Sequence, residues 1–211
     1  MSGMSHRETL LGAARELLRE KGLSRTTARD LAGASGANLR SIGYHFGSKD
    51  ELMAQVLAQI CAEWTAGPVE ASRVEGGSPQ ERMLAAVRTM LTDLPGKRDD
   101  YFAYLDGVLE ARQNPELSGQ LTQGLSQSLG SIAGAISEAT PALSPGVALL
   151  LARLLVAVHD GLMLQVAVAD DAALQDIEEL VSALAGLGVT LAAGLEFPGA
   201  AETLHTLIGD P

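Results

Sequence analysis

Residues 27–49 read Thr-Ala-Arg-Asp-Leu-Ala-Gly-Ala-Ser-Gly-Ala-Asn-Leu-Arg-Ser-Ile-Gly-Tyr-His-Phe-Gly-Ser-Lys, and their spacing decides the fold. Thr27 with Asp30 three residues later has the form of a capping box, so a short helix is expected to open there and run through Ala34. Gly36 stands where the chain must turn sharply, a conformation that glycine takes without steric cost. Asn38 then caps a second short helix that ends at Gly47. Leu31, Ala32, Ala37, Ile42 and Phe46 are the inward positions, which leaves Leu39, Arg40, Ser41, Tyr44 and His45 facing out. Two short helices about a tight turn, the second with an exposed N-terminal end, have the shape that enters the major groove of B-DNA.

The outward side chains suit that task. Arg40 can bond a guanine edge bidentately or grip a phosphate, Ser41 can bond either base type, and Leu39 can touch a thymine methyl. Tyr44 and His45 offer neutral donors to phosphate oxygens. Lys49 adds charge at a helix start, beside backbone N–H groups already suited to an anion. Thr27 and Arg29 are placed to hold the opposite wall of the groove. With Asn38, these residues are the candidate contacts to double-stranded DNA.

Residues 10–52 resemble the DNA-binding domain of the TetR family of transcriptional regulators. The family pattern T-x-x-x-[IL]-A, A-G-V-S, L-Y-x-H-F-x-S-K-x-x-L is met here by Thr27…Leu31-Ala32, Ser35-Gly36-Ala37-Asn38 and Ile42-Gly43-Tyr44-His45-Phe46-Gly47-Ser48-Lys49…Leu52, without a gap. Gly43 is the main departure, since the family usually has tyrosine there. It removes a phosphate contact from that position, shifts the role toward Tyr44, and costs the helix about 1 kcal/mol.

Outward from this stretch, helical periodicity continues in both directions. Leu10, Leu11, Ala14, Leu17 and Leu18 follow the i, i+3, i+4, i+7 pattern, with Gly22 as a stop. Ser48-Lys49-Asp50-Glu51 opens a longer helix expected to reach about Trp64. Ser78-Pro79-Gln80-Glu81, Asn114-Pro115 and Ser144-Pro145 repeat a cap followed by proline at the first helical position. Together with Gly96 and Asp170–Asp171 these marks divide residues 48–195 into about six helices. No stretch sustains period-two alternation. The chain is therefore expected to be all-α, with about nine helices: a three-helix helix-turn-helix domain over 1–50, a helical effector-binding and dimerisation domain over 51–200, and a tail at 201–211.

Composition narrows the class. With 46% hydrophobic and 19% charged residues, the 211-residue chain reads as an ordinary globular protein. Cys61 is the single cysteine, which excludes an internal disulfide and, without a Cys/His cluster, argues against a metal site and for the reducing cytoplasm. Residues 1–9 lack the hydrophobic core of a signal peptide. Residues 146–169 are strongly apolar, but Arg153 and the His159–Asp160 pair interrupt them, so no membrane span is expected. The formal charge of −11 is unevenly placed: residues 1–50 hold eight Lys/Arg against five Asp/Glu, a net +3, which leaves −14 on the rest. A basic head on an acidic body orients a molecule on DNA.

For the body, the TetR resemblance implies a ligand-binding and dimerisation domain whose last two long helices form a four-helix bundle with a partner chain. The residues agree: Leu174, Ile177, Val181, Leu184, Gly188 and Leu191 recur in alternating three- and four-residue steps, a seam for another helix. The helix from Val147 to about Ala169 is apolar nearly all round and needs cover on several sides. A two-fold homodimer also presents two recognition helices to the half-sites of a palindromic operator about 34–36 Å apart. Within the apolar helix, His159 and Asp160 read either as a satisfied core or interface pair, or as polar anchors for a small hydrophobic effector. Trp64, Met90, Tyr101, Tyr104 and Met163 are candidates for the walls of such a site. The resemblance further implies that the helix from Ser48 to Trp64 relays effector binding to the head, and that DNA is released. No pair of Glu-x-x-His motifs, nucleophile elbow or phosphate loop supports an enzyme or a cofactor. The alternative function is a DNA-binding regulator whose body mediates protein contacts and senses no small molecule.

Overall fold

The computed structural model of the chain describes residues 5–73, 77–169, 179, 180, 182, 183 and 186. Among these, every regular element is helical: α1 (His6–Lys21), α2 (Ala28–Ser35), α3 (Leu39–Phe46), α4 (Lys49–Ala71), α5 (Pro79–Thr92), α6 (Arg98–Ala111), α7 (Pro115–Ala139) and α8 (Pro145–Ala169), with one 3-10 turn at Pro95–Lys97. The all-α expectation holds, with a helix-turn-helix at the N-terminal end.

Most helix starts are made by local caps. Ser5, Thr27 and Ser78 each accept a hydrogen bond from the backbone N–H three residues on, and Glu8, Asp30 and Glu81 answer in turn, closing a capping box at α1, α2 and α5. Asn38 caps α3, Ser48 accepts from the Glu51 N–H at 3.0 Å, and Asn114 from the Leu117 N–H at 3.1 Å. Gly22, Gly36 and Gly47 end the first three helices with positive φ.

One boundary differs from the sequence expectation. α4 runs to Ala71 rather than ending near Trp64, and it takes Pro68 inside. Pro68 lies in the last turn, where the Ser72 N–H closes onto its carbonyl at 3.0 Å.

The described residues group into two compact units, one drawn from Met1–Glu63 and Gly96–Gln127, the other from Trp64–Pro95 and Ser128–Pro211. In the first, Leu10, Leu11, Ala14, Leu17 and Leu18 of α1, Leu31 of α2, and Ile42 and Phe46 of α3 are buried, as their spacing requires. Leu52, Met53, Val56, Leu57 and Ile60 give α4 its buried face. α6 approaches closely: a Cβ on buried Gly107 would stand 2.5 Å from Leu57 Cδ1. In the second unit, Ile136, Leu143, Ala148, Leu151 and Ala152 form a core cluster flanked by Met83, Leu129, Ile132 and Leu155. α8 is long and apolar enough, by length and composition, to cross a membrane over Pro145–Val168. Core helices of globular proteins pass the same test, and Arg153, His159 and Asp160 interrupt the stretch.

An ionic clamp holds α1 to α6. Asp100, only 4% exposed, accepts from Arg15 Nη2 at 2.7 Å and from Arg19 Nε at 2.7 Å, with second bonds at 3.3 and 3.0 Å. Arg15 also forks onto Glu63 of α4 at 2.9 and 2.7 Å. Burial alone pushes the Asp100 carboxyl up, but the bonds from Arg19 and Arg15 and their charges outweigh it and hold the group below the usual carboxylate range. Nearby, the carboxylate of Asp106 on α6 accepts the Leu23 N–H just after α1. Asp30 is pulled from 3.8 down to about 2 by the Thr27 N–H, the Lys21 ammonium and the Thr27 hydroxyl.

These depressed carboxylates fix the sign of the acid response. Unfolded, they protonate near the ordinary value; folded, they hold out to lower pH, so the unfolded chain binds more protons in between. Their contribution is whole above about pH 5 and is lost as pH falls through the ordinary carboxylate range toward the folded values. Thermal unfolding followed by circular dichroism is expected to give a falling melting temperature from about pH 5 to about pH 3. A flat profile over that range would mean the clamp and caps contribute no stability.

Candidate nucleic-acid interface

α3 is short, and its orientation is set from one side. Ile42 and Phe46 are buried beneath it, and the Arg7 guanidinium lies 5.2 Å from the centroid of the Phe46 ring. The opposite face is therefore turned outward, with Leu39 51% and Tyr44 83% exposed and Arg40 and Gly43 beside them. Leu39 and Tyr44 are the exposed large hydrophobic side chains of the helix-turn-helix among the described residues.

The structure divides the sequence candidates by what already engages them. Leu39, Arg40 and Tyr44 share the exposed face of α3, and Arg29 is exposed on α2. Thr27, Asn38 and Ser41 serve as caps: the Thr27 hydroxyl donates to Asp30 at 2.8 Å, while Asn38 Oδ1 accepts from the Ser41 N–H at 2.9 Å and hydroxyl at 3.1 Å. His45 is half-buried, its ring edge-on to Tyr44 at 4.9 Å between centroids. Lys49 Nζ lies 3.1 Å from Asp50 Oδ1.

Electrostatically, the basic head is less free than its formal charge suggests. Arg15 and Arg19 are bound to Asp100, Glu63 and Glu16, Lys21 to Asp30, and Lys49 to Asp50. Arg7 bonds the neutral Gln55, and Arg25 the Lys21 carbonyl, so neither bond offsets its charge. Arg29 and Arg40 complete the set of head cations without an acidic partner among the described residues.

The candidate effector residues lie in different units. In the second, Trp64 and His159 are both buried with ring centroids 5.6 Å apart, and His159 Nδ1 is 3.2 Å from Asp160 Oδ1. Met90 and Met163 are buried in the same unit. Tyr101 and Tyr104 belong to α6 in the first unit, Tyr101 buried and Tyr104 half-buried. The proposed dimer seam, Leu174, Ile177, Val181, Leu184, Gly188 and Leu191, lies outside the described residues, as does the 201–211 tail. Sequence reading missed the positioning residues Arg15, Arg19, Glu63 and Asp100. The only local trace is the i, i+4 spacing of the two arginines on α1, since their acidic partners stand 48 to 85 residues away.

The comparisons extend over the same segments. A family model described as bacterial regulatory proteins, tetR family, matches residues 10–56, and one described as BetI-type transcriptional repressor, C-terminal, matches residues 79–187. The HTH-type transcriptional repressor KstR2 of Mycolicibacterium smegmatis is 32% identical over 112 residues, 53% of this chain and 54% of that protein, so the match spans about half the length of that relative. Among solved structures, Salmonella enterica GusR has a TM-score of 0.69 at 18% identity, over 92% of this chain and 98% of that one. A transcriptional regulator from Rhodococcus sp. Rha1 has a TM-score of 0.65 at 24% identity, over 90% and 97%. A TetR transcriptional regulator from Legionella pneumophila scores 0.62 at 19% identity, over 87% and 98%. At these identities the structural likeness shows the fold alone. With a tetR-type match on its helix-turn-helix and a BetI-type match over half its length, the chain belongs to the TetR family of transcriptional regulators.

Proposed function

We propose that this regulator is a repressor that binds a palindromic operator as a homodimer through α3 and is released by a small hydrophobic effector. The observation that carries the reading is the exposed Leu39–Arg40–Tyr44 face on a helix anchored from behind by Ile42 and Phe46. Repression is supported by the names of the relatives, KstR2 and the BetI-type C-terminal region. Binding bacterial DNA requires a cytoplasmic location.

Pairing of two chains is supported by α8, which leaves Leu149, Leu154, Leu164 and Val168 exposed. Such apolar area on a helix favours cover by a second subunit. An effector site is supported by the second unit's buried Trp64–His159 ring pair with Asp160 beside it, and by buried Met90 and Met163. The α4 segment from Ser48 to Trp64 is the relay by family resemblance, and the Arg15–Asp100–Arg19 clamp offers α6 as a second route to α1. A preference of about 1–3 kcal/mol between DNA-competent and released arrangements changes operator affinity about 5- to 150-fold.

Selection of bound duplexes from a random pool with the purified protein is expected to enrich an inverted repeat, bound less tightly as salt rises. Enrichment of no sequence would sink the reading. Arg40→Ala is expected to weaken specific binding by about 1–3 kcal/mol and relax preference at one base step; unchanged binding in a fluorescence anisotropy titration would take α3 out of the groove. Leu164→Glu is expected to convert a dimer to a monomer in sedimentation, and an unaltered mass would exclude this face of α8 from the interface. A thermal-shift screen with hydrophobic compounds is expected to find one that raises the melting temperature and frees the operator. Indifference to a broad set would leave the body a protein-contact role.

A further inference from the structure

Gly43 lies in the interior of the eight-residue helix α3, on its exposed face. A Cβ built there would meet nothing within 4 Å, and its backbone is not among the positive-φ glycines. Neither packing nor backbone conformation inside the chain therefore calls for glycine, although an interior glycine weakens a helix. Gly107, Gly36 and Gly47 of the same unit are held to glycine by Leu57 or by φ of +67 and +82, whereas Gly12 and Gly33 share the open surroundings of Gly43 but lie outside α3. On the surface, residue 43 is a notch one side chain deep, bordered by Leu39 and Arg40 one turn back and by Tyr44.

A second observation points outward from the notch. Arg40 is the one arginine or lysine on α3, and the next cation along the chain, Lys49, is already paired with Asp50. With one cation on it, the α3 face itself depends on close fit, and van der Waals contact is forfeited by gaps of half an ångström to an ångström. We infer that Gly43 is a close-approach residue: the missing side chain lets the α3 backbone seat against the duplex, so that Arg40 and Tyr44 on either side reach it together. This inference rests on the DNA-binding reading above and names the residue that sets the seating depth.

The test turns on two readouts that a purely structural role would move in the same direction. Full-length Gly43→Ala and Gly43→Leu are compared with wild type for melting temperature and for affinity to the duplex that wild type itself selects. Gly12→Ala, on exposed α1 with equally open space around it, is the control. The expected result is a melting temperature raised or unchanged, with affinity lowered about tenfold by alanine, the scale of one good base contact, and further by leucine; Gly12→Ala keeps wild-type affinity. Equal or tighter binding by Gly43→Ala overturns the inference while leaving the DNA-binding reading intact. A lowered melting temperature also overturns it, because open space at residue 43 is the premise. If wild type selects no duplex, both fall.

Discussion

A carboxylate buried as deeply as Asp100 stays charged only if it is met by opposite charge and hydrogen bonds on its free lone pairs. Arg15 and Arg19, one helical turn apart on α1, supply both, and each reaches it with two nitrogens. The demand runs in one direction: once Asp100 is placed in the first turn of α6, α1 has to lie where both guanidiniums reach it. Since α1 packs on α2 and α3, fixing α1 also fixes the helix-turn-helix on the remainder of its unit. Asp106, one and a half turns further along α6, holds the chain reversal after α1 through the Leu23 N–H. Two acids of one helix thus seat the whole recognition head.

What was legible in the sequence was what is local. A capping box is written within four residues, and those at Thr27–Asp30 and Ser78–Glu81 stand in the structure as the sequence has them. The stops at Gly22, Gly36 and Gly47 are single-residue signals tied to a backbone angle, and they too are in place. The far end of α4 was not legible, because Gly67-Pro68 is the kind of pair that closes a helix and here lies inside one. The Asp100 clamp was less legible still. A carboxylate one turn into a helix is expected on dipole grounds alone, so nothing in Arg98-Asp99-Asp100 distinguishes the buried acid from its exposed neighbour.

Charge arithmetic along the chain misleads for the same reason. A net +3 over residues 1–50 suggests a head that draws DNA by general attraction, yet four of its eight cations are bound to acids, two of which, Glu63 and Asp100, lie outside that segment. What remains for a phosphate backbone is a thin set of charges, among them Arg29 and Arg40. On the proposed reading, recognition by such a surface leans on shape: apolar Leu39, a projecting Tyr44 and the notch at Gly43. The same internal pairing that seats the head removes much of its non-specific charge.

The clamp also limits how the head can be regulated. Glu63 and Asp100 raise the pKa of Arg15, and Asp100 that of Arg19, while Asp100 itself is held below the ordinary carboxylate range, so all three stay ionised across neutral pH. No proton taken up or released near neutrality loosens this joint. On the proposed reading, an effector can act on the head by displacing the helices that carry the acids: α6 through Asp100 and Asp106, or α4 through Glu63. A shift of either element would stretch charged bonds that stand near 2.7 Å, so α1 must follow or lose them.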